Sequence, residues 1–248
     1  MAAENHINLV FTDERIRVTV LTNICRMLVT RGYMDADKYK PADDAKDAKD
    51  SKDAKAYPVD QPSIDDPIDN QRFAPLIRAR TDTGIYTIPL DRPYENERSK
   101  EDKEKPFNPD KLVIKLVHQN VKDITNSQNI NDFLKSYPMY HKIIVFDGMA
   151  DKVYDVLRRK KNVEVFDRDF FMIDLMSHVC APIRCELVTE DAIGYMVNPK
   201  IAKILENDPL VRYYNGKRNS ILRIVRPSLT NSVEVAYRRV VEPKSVFK

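Results

Sequence analysis

The spacing of apolar residues alternates between helical and extended patterns over much of the chain. Between residues 12 and 31 the apolar side chains recur every three or four positions, which predicts an amphipathic helix. Its core-facing residues are Ile16, Val20, Ile24, Met27 and Leu28. Thr12 is a residue type that caps helices, Asp13 and Glu14 suit the positive end of the helix dipole, and Gly32 is a typical stop. The first predicted element is therefore one long helix.

Shorter apolar runs follow, and they alternate between strand and helix patterns. The predicted strands cover residues 73–80, 84–89, 112–117, 142–146 and 163–166. The first two are expected to pair with each other. Ile130, Phe133 and Leu134 mark a short helix that ends before Pro138, and residues 149–161 form another. Strands that alternate with helices indicate a mixed sheet flanked by helices, with right-handed crossovers.

Two charged stretches interrupt this pattern. Residues 44–55 repeat Asp-Ala-Lys, once as Asp-Ser-Lys, and contain no side chain suited to a core. Prolines follow at positions 58, 62 and 67. Such low-complexity sequence is typical of a solvated, mobile segment, so we interpret residues 36–70 as an insertion in a loop. Residues 95–105 are similar in kind.

The bulk composition is compatible with two packed domains. Of the 248 residues, 42% are hydrophobic, which is enough for one or two cores. We predict an N-terminal α/β domain over residues 1–172, carrying the insertion, and a small C-terminal α+β domain over residues 173–248. The predicted fold class of the whole chain is α+β.

The C-terminal domain is distinguished by its charge. Residues 173–248 contain twelve basic and eight acidic residues, a net charge of +4, whereas the first 172 residues have a net charge of −1. Seven basic side chains lie between Arg212 and Arg239, on and beside two apolar runs, 221–225 and 233–237, that predict strands. A positive patch attracts nucleic acid or an acidic protein surface, so the charge alone does not identify the partner.

Short motifs follow one another within this basic region. They read Asp208-Pro209-Leu210-Val211-Arg212-Tyr213-Tyr214, Lys217-Arg218, Arg226-Pro227-Ser228-Leu229-Thr230 and Tyr237-Arg238-Arg239-Val240. In this order the motifs resemble the C-terminal assembly domain of the fifth subunit of eukaryotic-type DNA-dependent RNA polymerases, which also has an archaeal counterpart. Where the family pattern has glycine, this chain has Asn215, Asn219 and Ser232. Asparagine tolerates a left-handed backbone better than other non-glycine residues, whereas serine does so less well.

The resemblance implies that the domain docks on the largest subunit of a polymerase, among other polymerase subunits. The interface residues that it implies are Asp208, Pro209, Arg212, Tyr213, Lys217, Arg218, Arg226, Pro227, Ser228, Thr230, Tyr237 and Arg238. Their cations would supply charge-assisted hydrogen bonds. The implied role in transcription is structural. We therefore expect no catalytic residue, no metal and no cofactor in this chain, because nucleotidyl transfer and its magnesium belong to other chains.

The N-terminal domain resembles the jaw domain of the same subunit, which reaches toward downstream DNA. The matching features are an early helix ending in Arg31-Gly32-Tyr33, the strand over 112–117, and Ile143-Ile144-Val145 leading to Gly148-Met149. The implied DNA-facing loop comprises Gly148, Met149 and Lys152. Many relatives continue with Thr-Pro, where this chain has Ala150-Asp151. Because an acidic residue weakens the approach to phosphate, direct contact with DNA is left open.

The cysteines and the absence of targeting signals point to an intracellular protein. Cys25, Cys180 and Cys185 form neither an even disulfide set nor a metal-binding CxxC pair, which is typical of reduced thiols. No apolar run approaches the roughly 18 residues of a membrane span, and the first twenty residues lack a signal-peptide layout. We expect the protein in the virion or host cell if it is virus-encoded, which its divergent motifs favour, and otherwise in the nucleus.

Two other functions are compatible with parts of the sequence. A freestanding basic nucleic-acid-binding module would keep the positive C-terminal domain and predicts tight, salt-sensitive binding by the isolated protein. A metal-dependent nuclease needs an acid on one strand and Glu-x-Lys on the next. The best strand offers Lys115 but has Val113 where the acid is needed.

Other titratable residues receive structural interpretations. His178 is interpreted as a packed or capping side chain, since no nucleophile is evident beside it. Basic residues interleave with a group of carboxylates and no ligand spacing is recognisable, so we interpret the group as solvated side chains and not as a metal site. The group comprises Asp147, Asp151, Asp155, Asp167, Asp169 and Asp174.

Overall fold

The fold is α+β, as predicted, and the chain divides into two compact units, Met1–Ile173 and Asp174–Lys248. The computed structural model describes residues 12–35, 73–77, 83–94, 110–121, 128–160, 162–189, 201–228 and 232–242. The predicted insertion at 36–70 and the charged stretch at 95–105 lie outside the described residues. These are the N-terminal unit and the C-terminal unit.

The first helix, α1, covers Asp13–Thr30 and confirms the predicted element. The Thr12 hydroxyl accepts a hydrogen bond from the Arg15 backbone N–H at 3.3 Å, and two acidic residues lie in the first turn, where the helix dipole favours them. Gly32 follows with φ of +78°, a left-handed conformation that glycine adopts without steric cost. The helix is anchored by a buried stripe of Val20, Leu21, Ile24, Cys25, Met27 and Leu28.

The strand predicted over residues 73–80 is wrong in its described part. Ala74–Ile77 form a short helix, α2, and residues 78–82 lie outside the described structure. Phe73 and Ile77 are both buried, because a spacing of four places them on one side of a helical turn. Pro75 has no N–H for a strand ladder but fits the first turn of a helix. The Arg17 guanidinium of α1 donates to the Ile77 carbonyl at 2.9 Å, which ties α2 to α1.

The N-terminal unit is built on a four-stranded mixed sheet. Its strands are β1 (Ile85–Pro89), β2 (Lys111–Val121), β3 (His141–Met149) and β4 (Val163–Asp167), in the spatial order β1-β2-β3-β4. The first strand runs antiparallel to β2, and the other three are parallel. Helices α3 (Gln128–Ser136) and α4 (Asp151–Arg158) connect the parallel strands. The predicted alternation of strands and helices after residue 110 is therefore confirmed, and the partner of β1 is β2.

Both faces of this sheet are buried. One core joins the sheet to α3 and α4 and consists of Val113, Val121, Ile130, Phe133, Ile144, Phe146, Val153, Leu157 and Val165. Alternate residues such as Ile114 and Ile143 project from the opposite face and are equally buried. Glu164 projects from that second face and contacts Arg31 at the end of α1, so α1 lies on this side. The sheet is thus flanked by helices, as the sequence predicts.

The junction between β3 and α4 differs from the helix predicted over residues 149–161. Gly148 and Met149 still belong to β3 and pair with β2, and α4 begins only at Asp151 and ends at Arg158. The neighbouring strand supplies backbone hydrogen-bonding partners beyond the apolar run, which extends β3 past the end of its hydrophobic pattern.

A buried ionic cluster joins the end of α1 to the sheet. The Glu164 carboxylate accepts two hydrogen bonds from the Arg31 guanidinium, at 2.8 and 3.0 Å. The Tyr94 hydroxyl also donates to this carboxylate, as does the His141 Nε2–H over 2.7 Å. The Tyr94 ring stacks on His141 with centroids 3.7 Å apart and on Tyr33 with centroids 4.4 Å apart. The Arg31 and Glu164 side chains are only 3% and 8% exposed.

The charge states within this cluster follow from burial and from the ion pair. Burial alone would raise the pKa of Glu164, but the charge of Arg31 and the hydrogen bond from His141 outweigh it and hold that pKa well below its usual range. Burial lowers the pKa of His141, so its ring is neutral near pH 7. A neutral ring that donates from Nε2 leaves a lone pair on Nδ1, and this buried atom has no hydrogen-bond partner in the described structure.

The C-terminal unit contains a second four-stranded sheet and one short helix. Its strands are β5 (Arg184–Val188), β6 (Ala202–Leu205), β7 (Ile221–Ser228) and β8 (Ser232–Val241), in the order β5-β7-β8-β6, and its helix is α5 (Pro209–Tyr213). Its core consists of Cys185, Ile204, Val211, Leu222, Ile224 and Val240. The two strands predicted over 221–225 and 233–237 are confirmed, and both are longer than predicted. In the described ranges, no helix is long and apolar enough to cross a bilayer.

We predict that acid weakens the N-terminal unit through His141. Because the folded-state pKa of His141 lies below its ordinary value of 6.5, the unfolded chain binds a proton first as the pH falls. The stabilisation is complete above about pH 6.5 and is lost below it, with a slope of at most about 1.4 kcal/mol per pH unit. Urea unfolding at pH 7.5 and pH 5.5, followed by near-UV circular dichroism of the stacked tyrosines, measures this loss.

His141→Gln is the informative variant for this prediction, and His178→Gln is its matched control, because His178 is exposed. His141→Gln should be less stable at pH 7.5 and should lose less stability on acidification, whereas His178→Gln should follow the wild type. An unchanged pH dependence in His141→Gln would contradict the assignment.

Candidate subunit interface

The motif that begins at Asp208 builds the turn into α5. The Asp208 carboxylate accepts a hydrogen bond from the Leu210 N–H at 2.9 Å and caps the helix, and Pro209 occupies its first turn, where the missing N–H is not needed. Val211 and Tyr213 are 0% and 3% exposed, so both face the interior. Three predicted interface residues, Asp208, Pro209 and Tyr213, therefore have roles within the fold.

The chain leaves α5 through a tight turn in which Gly216 packs closely against its neighbours. The Gly216 N–H donates to the Val211 carbonyl at 2.8 Å. A Cβ atom on Gly216 would lie 3.0 Å from Val211 Cγ1 and 3.4 Å from Leu222 Cδ1. This close approach packs the turn against the core of the unit and delivers Lys217 and Arg218 to the exterior.

The three positions at which the resembling family has glycine all adopt left-handed backbone conformations. The φ angles are +53° at Asn215, +69° at Asn219 and +58° at Ser232. Asparagine adopts this region with moderate cost, which accounts for the first two replacements. Ser232 opens β8 directly opposite Ser228, and it carries the same conformation without that advantage. All three positions thus adopt the left-handed conformation that glycine favours, although none of them is glycine.

Two of the predicted interface cations are paired with acids of the same unit. Arg226 and Glu234 lie opposite each other on β7 and β8 with 3.3 Å between their charged groups, and Arg218 contacts Glu242 at 2.9 Å. The Arg226 and Arg218 side chains are still 47% and 60% exposed. Exposed pairs of this kind contribute only about 0–1 kcal/mol each. A carboxylate on a partner protein could therefore replace the internal acid at little cost in stability.

The cations do not all lie on one face of the sheet. Register places Arg226 and Arg238 on the face that carries Ile224, and Arg223 and Arg239 on the opposite face. On that opposite face the Arg223 guanidinium donates to Glu186 at 2.6 Å. No local sequence signal marks Glu186 as a partner of Arg223, because its cross-strand position follows from the β5–β7 register. The hydrogen bond from Arg223 is the main reason that the pKa of Glu186 is lowered.

The remaining predicted interface residues lie around these two faces. Arg212 is partly buried on α5, and Lys217 is exposed in the following turn. Pro227 is exposed near the end of β7, and Tyr237 is partly buried on β8. Thr230 lies outside the described residues.

The predicted DNA-facing loop is the junction between β3 and α4. Gly148 and Met149 are partly buried at the end of β3, and Lys152 is exposed in the first turn of α4. Ala150 occupies the N-cap position with an extended backbone, and it has no side chain that could accept a hydrogen bond there. The exposed Asp151 follows at the first helical position, where it favours the helix dipole but repels phosphate.

The residues considered above for a nuclease, a metal site or proton transfer have local structural roles. Val113 is 1% exposed in the core, and Lys115 is buried with its ammonium group 5.5 Å from the centre of the Phe133 ring. No group of three or more His, Cys, Asp or Glu side chains in the described ranges could hold a metal ion. The His178 Nδ1 accepts a hydrogen bond from the Cys180 N–H at 3.1 Å, which is a capping contact of the predicted kind.

Comparison with known proteins places this chain among polymerase subunits. A family model described as "RNA polymerase Rpb5, C-terminal domain" matches residues 195–240, a range that contains every predicted interface residue. The chain is 34% identical over 143 residues to "DNA-directed RNA polymerase subunit 5" of Acanthamoeba polyphaga mimivirus, which covers 55% of this chain and 69% of that protein. It is also 28% identical over 85 residues to "DNA-directed RNA polymerases I, II, and III subunit rpabc1" of Dictyostelium discoideum, covering 32% of this chain and 43% of that protein.

Replacing Ser232 by glycine should stabilise the C-terminal unit. A left-handed backbone costs an L-residue about 1–2 kcal/mol, and glycine offsets part of this gain through its greater unfolded-state entropy. We expect Ser232→Gly to increase the free energy of unfolding by up to about 1 kcal/mol. Ser228→Gly is the matched control, because Ser228 pairs with Ser232 but has no left-handed backbone. It should be destabilising, and equal effects of the two substitutions in urea unfolding would contradict the prediction.

A side-chain cap at position 150 should stabilise α4. Ala150→Thr supplies a hydroxyl that can accept from an N–H group of the first turn, a contribution of typically about 1 kcal/mol. Ala150→Val has the same shape without the oxygen and serves as the control. Thermal or urea unfolding of the three proteins should rank the Thr variant above the other two, and similar stabilities of the Thr and Val variants would disprove capping.

Proposed function

The chain belongs to the Rpb5 family of DNA-directed RNA polymerase subunits, and from this premise we propose that it docks on the largest subunit of its polymerase through the C-terminal unit. The other polymerase subunits are its further partners. The N-terminal unit forms part of the jaw near downstream DNA during transcription. Its own role is structural and non-catalytic, and the complex as a whole is the nucleotidyltransferase.

The observation that carries this proposal is that some residues of the C-terminal motifs form the fold while others are exposed cations. Asp208, Pro209 and Tyr213 form the capped turn of α5, and Arg218 and Arg226 are exposed on the turn and the strand that follow it. A cation that is held in place but solvated loses little conformational freedom when a partner carboxylate arrives. Arginine forms charge-assisted, planar hydrogen bonds to such a carboxylate. The surface is thus suited to a protein partner with acidic side chains.

The charges at the β3–α4 junction give the N-terminal unit little electrostatic attraction for DNA. Lys152 is the exposed cation of the β3–α4 junction, and Asp151 beside it carries the opposite charge. One cation and one anion give no net attraction for phosphate. We therefore propose that the jaw unit helps to position the duplex by its shape and placement in the complex, with direct contact confined to Lys152.

The freestanding nucleic-acid-binding module is less well supported. The family match supports a polymerase subunit, whereas the pairing of Arg218, Arg223 and Arg226 with acids of their own unit reduces the local positive field for phosphates and acidic side chains alike. A duplex titration of the isolated protein separates the two functions, because the module predicts tight binding that falls steeply with salt. We place the protein where its polymerase acts, in the virion or host cell for a virus-encoded enzyme and otherwise in the nucleus.

Charge reversal in the motifs tests the docking proposal. The double substitution Arg212→Glu and Arg226→Glu should abolish co-purification with the largest subunit, because two attractive contacts become repulsive in a desolvated interface. Arg159→Glu with Lys160→Glu changes the charge equally on exposed residues of the other unit and should leave assembly intact. Circular dichroism checks that both proteins are folded. Normal assembly of the folded Arg212/Arg226 variant would show that docking uses another surface.

A further inference from the structure

The strand β8 is longer than the strand beside it at the margin of the sheet. It pairs with β7 from Ser232 to Arg239, but β6 covers only Arg238 to Val241 on the other side. As far as the chain is described, no strand pairs with residues 232–237 on that side. Within the described residues, the β7–β8 hairpin therefore extends beyond the four-stranded part of the sheet, and its β8 edge has no pairing strand there.

The hydrogen bonds of Val240 show which backbone groups face this open edge. The Val240 N–H donates to the Ser220 carbonyl at 2.9 Å, and its carbonyl accepts from the Asn219 N–H at 3.0 Å, so Val240 faces β7. The pairing register runs without a shift from Arg239 to Ser232. Backbone groups alternate in direction along an antiparallel strand. The N–H and carbonyl groups of residues 233 and 235, and the N–H of residue 237, therefore point away from β7, toward the side that β6 does not cover. The Tyr237 carbonyl faces the start of β6 at Ala202.

Two apolar side chains are exposed along this edge. Val233 and Val235 are 47% and 43% exposed, and both project from the same face of the hairpin. Valine favours extended structure, and folded proteins usually protect an open edge with lysine, proline, an inward charge or a bulge. None of these devices occurs at positions 233, 235 and 237. The edge is therefore suited to pairing with a further strand.

The other edge of the same hairpin is blocked. The last residues of β7, from Arg226 to Ser228, extend beyond β5, which pairs only as far as Val225. Pro227 lies in this extension and is paired with Val233. Because the backbone groups of Val233 point away from β7, the nitrogen of Pro227 points away from β8. Proline has no N–H to donate, so this edge cannot continue a ladder. The hairpin is therefore closed to a further strand on the β7 side and open on the β8 side.

We propose that the open edge of β8, residues 232–237, accepts an extended strand from the polymerase subunit on which this chain docks. The proposal rests on the function proposed above and specifies its contact. An edge that offers alternating donors and acceptors is matched by another polypeptide backbone, whereas phosphate only accepts. The incoming strand carries apolar side chains on the face of Val233 and Val235, which removes both valines from water.

Hydrogen exchange compares the edge in the free and the assembled protein. In the free protein the amides of residues 233, 235 and 237 should exchange rapidly, while those of 234 and 236, which face β7, are protected. In the purified polymerase the first group should become protected as well. Protection of 233, 235 and 237 already in the free protein would overturn the proposal, because another segment of this chain would then cover the edge. Rapid exchange in the complex would overturn it equally.

A proline at position 235 removes one outward N–H without removing a hydrogen bond to β7. We expect Val235→Pro to reduce co-purification of the docking subunit about ten-fold or more, since a ladder bond is lost and the added strand is obstructed. Val235→Ala keeps the N–H and is the matched control, which should retain most of the assembly. Circular dichroism establishes that Val235→Pro is folded, and the exchange experiment on the wild type tests the edge if it is not.

The outcomes of the co-purification experiment distinguish a failure of strand addition from a failure of the docking function. If the wild type assembles and folded Val235→Pro assembles equally well, strand addition is wrong and the docking function stands. If the wild type does not co-purify with a large polymerase subunit, the docking function fails, and strand addition fails with it.

Discussion

The N-terminal unit depends on one constraint, which is that the buried carboxylate of Glu164 must be paired. Glu164 lies in β4, and an isolated charge at that depth would be strongly unfavourable. Its partners come from the end of α1, the start of β3 and the segment after β1, namely Arg31, His141 and Tyr94. Removing one partner of such a buried pair typically costs about 3–5 kcal/mol. One charged group thus specifies the relative position of four segments, and stacking of Tyr33 and Tyr94 completes the enclosure.

The C-terminal unit is organised by local turns instead of a buried charge. Asp208 caps α5, Gly216 allows the chain to pass closely over Val211, and left-handed residues form the later turns. These contacts involve neighbours in the sequence, which explains why the segment is recognisable as a run of short motifs. The motifs combine residues that build the turn with residues that face outward. The assignment of all of them to the interface stays a prediction, beside the roles that Asp208, Pro209 and Tyr213 have within the fold.

In the docking that we propose, the edge of β8 and the exposed arginines contribute to different aspects of association. Backbone pairing supplies an extended, directional contact, and apolar burial at Val233 and Val235 adds affinity. Exposed arginines such as Arg218 and Arg226 contribute more to the choice of an acidic partner and to its orientation. A sheet edge beside a charged rim has the general layout of a protein–protein interface, in which an apolar centre is surrounded by polar groups.

The sequence by itself determined the elements whose signals are local: the capped and amphipathic helix α1, the apolar run of β3, the hairpin strands and the motif turns, as well as the family. It also indicated left-handed backbone at Asn215 and Asn219. Only the tertiary structure decided that residues 74–77 are helical, that β1 pairs with β2, and that Arg31, His141 and Glu164 meet in the interior. These features depend on contacts between residues far apart in the chain. The sequence around one residue of such a pair does not indicate which distant residue it contacts. The edge of β8 that no described strand covers belongs to the same class, because it arises from the unequal lengths of β6 and β8 once they are paired.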